Sequence, residues 1–212
     1  LFAKERGLLY SDTLMHWGVV KSVLTGNWLI PGYNVEGALC QLYKRIRFKD
    51  RWELRPTPTI PHYLHGVPLY QKGKQTVYLH ESWGNAMAFW ETARMAKRGD
   101  DGRMVPTGSE QSSLLANANV LATANCGAVG EGLLRFSSLF AGKRLVLCFD
   151  SDYPTDTGAE GAGFAATKRA AKLLSGASNP PSEISWLKWG ERGFDPSLPN
   201  KHDVRDFVNA AS

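Results

Sequence analysis

The chain has 212 residues, 43% of them hydrophobic and 21% charged, with 25 Lys/Arg against 20 Asp/Glu, a length and balance that suit a real core in one large domain or two small ones. No apolar stretch approaches the ~20 residues needed to cross a bilayer, and the N-terminus lacks the basic, apolar, small-residue order of a signal peptide, so no membrane partner and a cytoplasmic location are expected. Cys40, Cys126 and Cys148 lie far apart, which argues against a disulfide framework or zinc cage and for reduced, mostly buried thiols. A start at Leu1 rather than Met reads as a piece of something longer.

In chain order, residues 2–22 read as helical, with Ser11 and Asp12 as a break that caps a second helix over Thr13–Ser22. Two short strands follow, Asn27–Pro31 and Ala38–Lys44, around a Gly- and Asn-containing hairpin turn that ends at Gly37. In Lys44-Arg45-Ile46-Arg47-Phe48-Lys49-Asp50-Arg51 cations alternate with apolar residues at strand period, which predicts one basic face. Residues 55–75 hold four of the eleven prolines and read as structured loop with weak strands such as His62-Tyr63-Leu64. Charge divides at the same place: residues 1–75 carry 11 Lys/Arg and 5 Asp/Glu, a net +6, and residues 76–212 carry 14 and 15, a net −1. The expected organisation is therefore a small basic α+β subdomain, 1–75, followed by a second domain, 76–212.

From Thr76 the pattern alternates strand and helix: strand Thr76–His80, helix Trp83–Lys97, strand Val120–Thr123, a helix near Gly130–Phe140, strand Arg144–Phe149, helix Gly161–Leu174 and strand Glu183–Lys188. Repeated β-α order predicts an α/β fold with a parallel sheet flanked by helices. Two of these strands end in acids, Glu81 after one and Asp150-Ser151-Asp152 after another. Ligands of open α/β sheets bind at the carboxyl ends of the strands, and three hard oxygen donors gathered there call for a hard cation such as Mg²⁺. The spacing of Asp150 and Asp152 turns both to one side of an extended strand end, where they would share that cation. Such a site serves phosphate chemistry.

Other motifs are weaker. Gly158, Gly161 and Gly163 have the wrong spacing for a dinucleotide fingerprint and read instead as backbone close to a site, leading into a helix whose amides face an anion. His16, His62, His65, His80 and His202 lack paired metal-ligand spacing. Lys168, Arg169 and Lys172 form a solvated helix face, Trp83 and Trp90 look like core, and Trp28 and Trp52 remain stacking candidates.

Glu81-Ser82-Trp83-Gly84-Asn85-Ala86 after one strand, Asp150-Ser151-Asp152 after another, and Lys201-His202-Asp203-Val204-Arg205-Asp206-Phe207 near the end together resemble the three acidic motifs of the Toprim domain, over roughly residues 76–212. Upstream, 27–46 is similar to the small basic domain that precedes Toprim in primases of the DnaG type, bacterial and bacteriophage. The resemblance departs in two places, Ser82 and Asn85, where the family usually has Gly and Asp. It implies a DNA primase catalytic core: a nucleotidyltransferase that builds short primers on a single-stranded DNA template from nucleoside triphosphates, with Mg²⁺ or Mn²⁺ as cofactor and a replicative helicase, fused or separate, as partner. Asp150, Asp152 and Glu81 would hold the metal, Glu81 alternatively serving as general base, and Asp203 would hold a second metal or organise the site. Lys44, Arg45 and Arg47 would contact template or incoming triphosphate. A zinc module would lie upstream, and a phage-encoded chain would work in the host-cell cytoplasm. The alternatives are a catalytically degenerate Toprim protein that binds nucleic acid in a replication complex, or a Toprim nuclease.

Overall fold

A computed structural model of the chain describes residues 8, 12–48, 51–56, 63–98, 100, 104–107, 109–150, 152 and 160–187. Helix α1 (Asp12–His16) is short. It stops where Gly18 takes a left-handed φ of 72°, with Val19 N–H donating to Leu14 C=O and Gly18 N–H to Met15 C=O. This paired closure is what a helix-ending glycine provides. The helix expected over Thr13–Ser22 is thus cut to one turn, and β1 (Val20–Lys21) occupies its second half. Residues 1–7 and 9–11 lie outside the described residues.

Strands β1, β2 (Trp28–Tyr33), β3 (Leu39–Phe48) and β4 (Arg51–Pro56) form an antiparallel sheet in that order. The β2–β3 turn is closed by Asn34, whose Oδ1 accepts from Ala38 N–H at 2.8 Å, and by Gly37 at φ 82°. The second sheet is parallel, in the order β10-β9-β5-β8, and comprises β5 (Thr76–His80), β8 (Ala118–Ala122), β9 (Arg144–Cys148) and β10 (Glu183–Trp186). Each falls within two residues of the strand read from sequence. Helix α2 (Trp83–Ala93) is shorter than expected: residues read as its last turn form β6 (Ala96–Arg98), paired with β7 (Met104–Pro106). Cross-strand pairing overrides the helical preference of Ala, Lys and Arg there. The segment expected as a helix near Gly130–Phe140 is a 3₁₀ stretch, Glu131–Phe136, running into α3 (Ser137–Phe140). Its buried residues Leu133, Phe136 and Leu139 recur every three positions, the period at which a 3₁₀ helix lines up its side chains. Helix α4 (Ala162–Ser175) agrees with expectation.

Both faces of the parallel sheet are covered, which is why its strands read as nearly unbroken apolar runs. Val77, Leu79, Leu145 and Leu147 pack with Phe136, Phe140, Ala166 and Ala170 on the α3–α4 side. On the α2 side Tyr78, Val120 and Ala122 pack with Met87 and Trp83, and with Leu14, Trp17, Ile30 and Tyr43 of the N-terminal unit. This core therefore joins residues on both sides of position 75. Thr13 Oγ1 also donates to Glu91 Oε1 across it at 2.7 Å. Among the described residues no helix is long and apolar enough to cross a membrane.

The two sheets are stitched by Leu64 and His65. Leu64 bridges Tyr33 of β2, and His65 bridges Ala122 of β8. The His65 ring contacts Pro31 C=O through Nδ1 at 2.7 Å and meets the edge of Tyr43. Burial pushes its pKa down to about 4. His80, at the end of β5, is fully buried against Phe89 and is held down to about 3 by the same desolvation. Cys148 is buried, and its thiol is driven well above its usual range, whereas Cys40, next to the β2–β3 turn, is exposed; the side chain of Cys126 lies outside those described.

These two histidines set an acid limit. An unfolded chain takes up a proton at each histidine near pH 6.5, while the folded chain refuses it until about pH 3–4, so stability is lost as pH falls through that window. Leucine at position 80 removes one such group without removing a described hydrogen bond, since neither His80 ring nitrogen has a described partner. Thermal melts of His80→Leu from pH 7 to pH 4 should show a shallower decline in Tm than the parent chain. Parallel profiles would mean that His80 does not set this limit.

Candidate active site

The parallel sheet reverses its build direction at β5. The chain leaves β5 for β8 on one side and then returns to β9 on the other. Such a reversal opens a crevice beyond the carboxyl ends of the two diverging strands. Glu81 follows β5 and Asp150 closely follows β9, so the crevice is flanked by acids. Asp150 N–H donates to Glu81 Oε2 at 3.2 Å, and Glu81 N–H donates to Cys148 C=O at 3.3 Å. Glu81 and Asp150 are thereby adjacent and half-buried. Thr123, at the end of β8, donates through Oγ1 to Glu81 C=O at 2.7 Å and fixes the turn after β5 from the other side. Thr123 belongs to no sequence motif, and its only signal is a hydroxyl closing an apolar strand.

Ser82 and Asn85, the two departures from the family pattern, have structural work. Ser82 is the N-cap of α2: its extended backbone (φ −135°, ψ 153°) lets Oγ accept from Asn85 N–H at 3.3 Å, a capping bond that typically contributes about 1 kcal/mol. Asn85 then faces the crevice. Its Nδ2 donates to Asp150 Oδ1 at 2.8 Å. That bond fixes the amide's orientation, because a carbonyl turned toward the carboxylate would repel it. The other end of the amide, Oδ1, is buried with no donor among the described residues. An unpaired buried oxygen costs on the order of 1–3 kcal/mol, a cost an aliphatic residue would not carry.

Asp152 is held differently. Its Oδ2 accepts from Gly163 N–H at 2.7 Å. Helix α4 has no capping side chain of its own at Gly161, so Asp152 supplies the acceptor from across the chain, favoured by the positive end of the helix. The glycines make this approach possible: a Cβ at Gly161 would collide with the Asp152 backbone, and one at Gly163 with the Asp150 backbone. Of the helix amides expected to face an anion, that of Gly163 does so, and the anion is Asp152.

Oxygen donors of this kind suit Mg²⁺ or Mn²⁺ and not a soft metal. The expected gathering of three carboxylates in one cluster is not found, since among the described residues no three His, Cys, Asp or Glu side chains stand close enough to hold an ion. The reason is local: Asp152 is drawn toward α4 while Glu81 closes on Asp150. Asp203 and Asp206 lie outside the described residues.

The basic strand is split. Lys44 is exposed, whereas Arg45 is buried at 4% exposure on the face shared with Tyr43, because neighbours along a strand point to opposite faces. The side chain of Arg47 lies outside those described, as does that of Trp52. At the opposite end of the parallel sheet a groove of about 670 Å³ is lined by Lys74, Trp90, Arg94 and Asn119. His16 stacks on Trp90 there at 4.5 Å, and Trp90, half-buried, packs against the core on one side and lines the groove on the other. None of the residues proposed from sequence for chemistry lines it.

No family model and no curated relative matches the sequence. Solved structures do. The primase fragment of the bacteriophage T7 primase-helicase protein is 14% identical and superposes with a TM-score of 0.56 over 95% of this chain and 66% of that one. A chain of the bacteriophage T7 lagging-strand DNA polymerase structure, with primase domains of two gp4 subunits bound to an RNA/DNA hybrid and dTTP, gives 17% identity and 0.59 over 94% and 80%. The RNA polymerase domain of Mycobacterium tuberculosis primase DnaG gives 15% identity and 0.56 over 99% and 72%. The fold is that of a primase catalytic core. This chain spans about two thirds of the length of the T7 primase fragment. Within the primase-core fold, Glu81, Asp150 and Asp152 follow the two central strands, and Asn85 adds an amide that sequence reading saw only as a missing acid.

Gly163→Ala should separate α4 from the Asp150–Asp152 turn and lower the unfolding free energy by about 1–3 kcal/mol, as overpacking usually does. Urea denaturation beside Gly73→Ala, where an added methyl meets nothing within 4 Å, measures it. Equal midpoints for the two variants would show that the approach of α4 is not tight.

Proposed function

We propose that this chain is the catalytic core of a DNA primase, joining nucleotides into short primers on a single-stranded DNA template. The observation that carries the reading is the pairing of Glu81 with Asp150 at the switch point of a sheet that has the primase-core fold. Glu81, Asp150 and Asp152 would hold Mg²⁺ or Mn²⁺, which when bound would offset the negative charge of the triphosphate as it reacts. An ion of this type is commonly held by one or two protein carboxylates and completed by water and substrate phosphates, so a preformed cage of three is not needed. Glu81 would complete that shell or accept the proton of the attacking 3′-hydroxyl. Asp203, from outside the described residues, is a candidate for a second ion or for organising the site. The likeness to T7 primase-helicase supports a helicase partner, fused or separate.

Template contact falls to Lys44 and, by the same reading, Arg45 and Arg47. The burial of Arg45 makes it a poor position to probe, since its loss would disturb the Tyr43 face. Lys44→Ala is the clean variant. It should weaken binding to single-stranded DNA and reduce the slope of log K against log salt by about 0.7, the value of one phosphate contact on a single strand. Fluorescence anisotropy across a salt series measures it, and an unchanged slope would remove Lys44 from the interface.

The reaction itself is tested with the chain, single-stranded template, ribonucleoside or deoxyribonucleoside triphosphates and Mg²⁺ or Mn²⁺. Short oligomers are expected from the parent and none from Asp150→Asn. If the parent binds template but yields no oligomer with either ion, the catalytic reading fails and the chain is a nucleic-acid-binding member of a replication complex. Cleavage of the template in the same tubes would favour the nuclease.

A further inference from the structure

We infer that Asn85 is a positioning residue for Asp150, fixing the carboxylate for a divalent cation with a neutral donor in place of another negative charge. The inference rests on the proposed cation at the β5–β9 crevice and adds a residue to it. Asn85 sits in the first turn of α2, 1% exposed, with its backbone N–H held by the Ser82 cap. Its side chain therefore leaves a rigid point. From there Nδ2 reaches Asp150 Oδ1 at 2.8 Å, and Asp150 is gripped a second time through its own N–H by Glu81. Carboxylate and backbone are thus fixed independently, by α2 and by the turn after β5. Hydrogen bonds of this kind to metal ligands set ligand orientation, and their removal typically lowers metal affinity about 10–100-fold.

The buried Oδ1 of Asn85, without a donor among the described residues, separates this from simple packing. A residue that served only to fill the space would do so better without that oxygen. Aspartate has the same shape but would place a second anion against Asp150 and lose the donor. In the absence of cation the two carboxylates would repel, and a divalent ion would relieve the repulsion.

Binding of Mn²⁺ alone, followed by electron paramagnetic resonance of the free ion, and Tm with and without Mn²⁺ test this on the parent, Asn85→Ala, Asn85→Asp and Asp150→Asn. Asp150→Asn should lose the site. Asn85→Ala should bind Mn²⁺ about tenfold more weakly, and Asn85→Asp should melt lower than the parent without Mn²⁺ yet gain a larger increase in Tm when it is added. If Asp150→Asn loses the ion while Asn85→Ala binds it as the parent does, the positioning role is overturned and the proposed cation site stands. A Tm loss in Asn85→Ala that is equal with and without Mn²⁺, at unchanged affinity, is the signature of packing alone and overturns it too. Unaltered Mn²⁺ binding by Asp150→Asn would remove the cation from this crevice and the inference with it.

Discussion

The carboxyl edge of the parallel sheet is organised by one close approach, that of the start of α4 to the turn after β9. Two glycines, at 161 and 163, remove the methyl groups that would strike the Asp150 and Asp152 backbones. With them gone, the second amide of the helix reaches Asp152. The contact satisfies a helix-terminal donor that has no cap of its own, and it opposes an anion with the positive end of a 14-residue helix. It also decides where Asp152 points, and hence why the three acids of the edge do not form one cluster.

The other end of the design is the join between the sheets. β8 is an edge strand of the parallel sheet, and β1 pairs β2 only at Trp28 and Leu29, so the far end of β2 is open on that side; the two-residue bridge at 64–65 serves both, pairing with β2 through Leu64 and with β8 through His65. Gly66 follows with a φ of 83° and with Trp17 and the Val120 carbonyl 2.9 Å from where a Cβ would stand. The basic unit is consequently not hung on a linker. Trp17, Ile30 and Tyr43 share a core with α2 and β8, and Thr13 bonds to Glu91 inside it. The position of the antiparallel sheet is tied to α2, the helix whose first turn carries Ser82 and Asn85.

What could be read in the sequence follows from what is local. The four parallel strands announce themselves as short apolar runs buried on both faces, and Glu81, Asp150 and Asp152 could be placed at their ends from chain order alone. The glycines at 161 and 163 could be read as backbone near a site because they follow an acidic strand end and lead into a helix with the wrong spacing for a dinucleotide fingerprint. Features that depend on partners distant in the chain could not be read. Arg45 and Lys44 look alike in a basic run, and only the burial of the Tyr43 face separates them. The end of α2 depends on β7, ten residues further on, and Asp152's service to α4 depends on a contact across 11 positions. Asn85 is the sharpest case: as a letter it is an acid lost, and in space it is a donor gained 65 positions away.

The choice between amide and acid at position 85 is a matter of charge density at the edge. Two like charges about 4 Å apart in an effective dielectric near 20 repel by about 4 kcal/mol, comparable with much of the net stability of a small domain. At an edge where the Glu81 carboxylate already accepts from the Asp150 N–H, a further anion would add a repulsion of this order. Asp152 escapes this limit because the α4 terminus supplies compensating positive potential. Asn85 escapes it by being neutral, and its donor hydrogen does for Asp150 what the Gly163 amide does for Asp152. Both aspartates are thus steadied by protein dipoles, Asp150 by the Asn85 amide and Asp152 by the Gly163 N–H, so the edge holds its arrangement through bonds of its own.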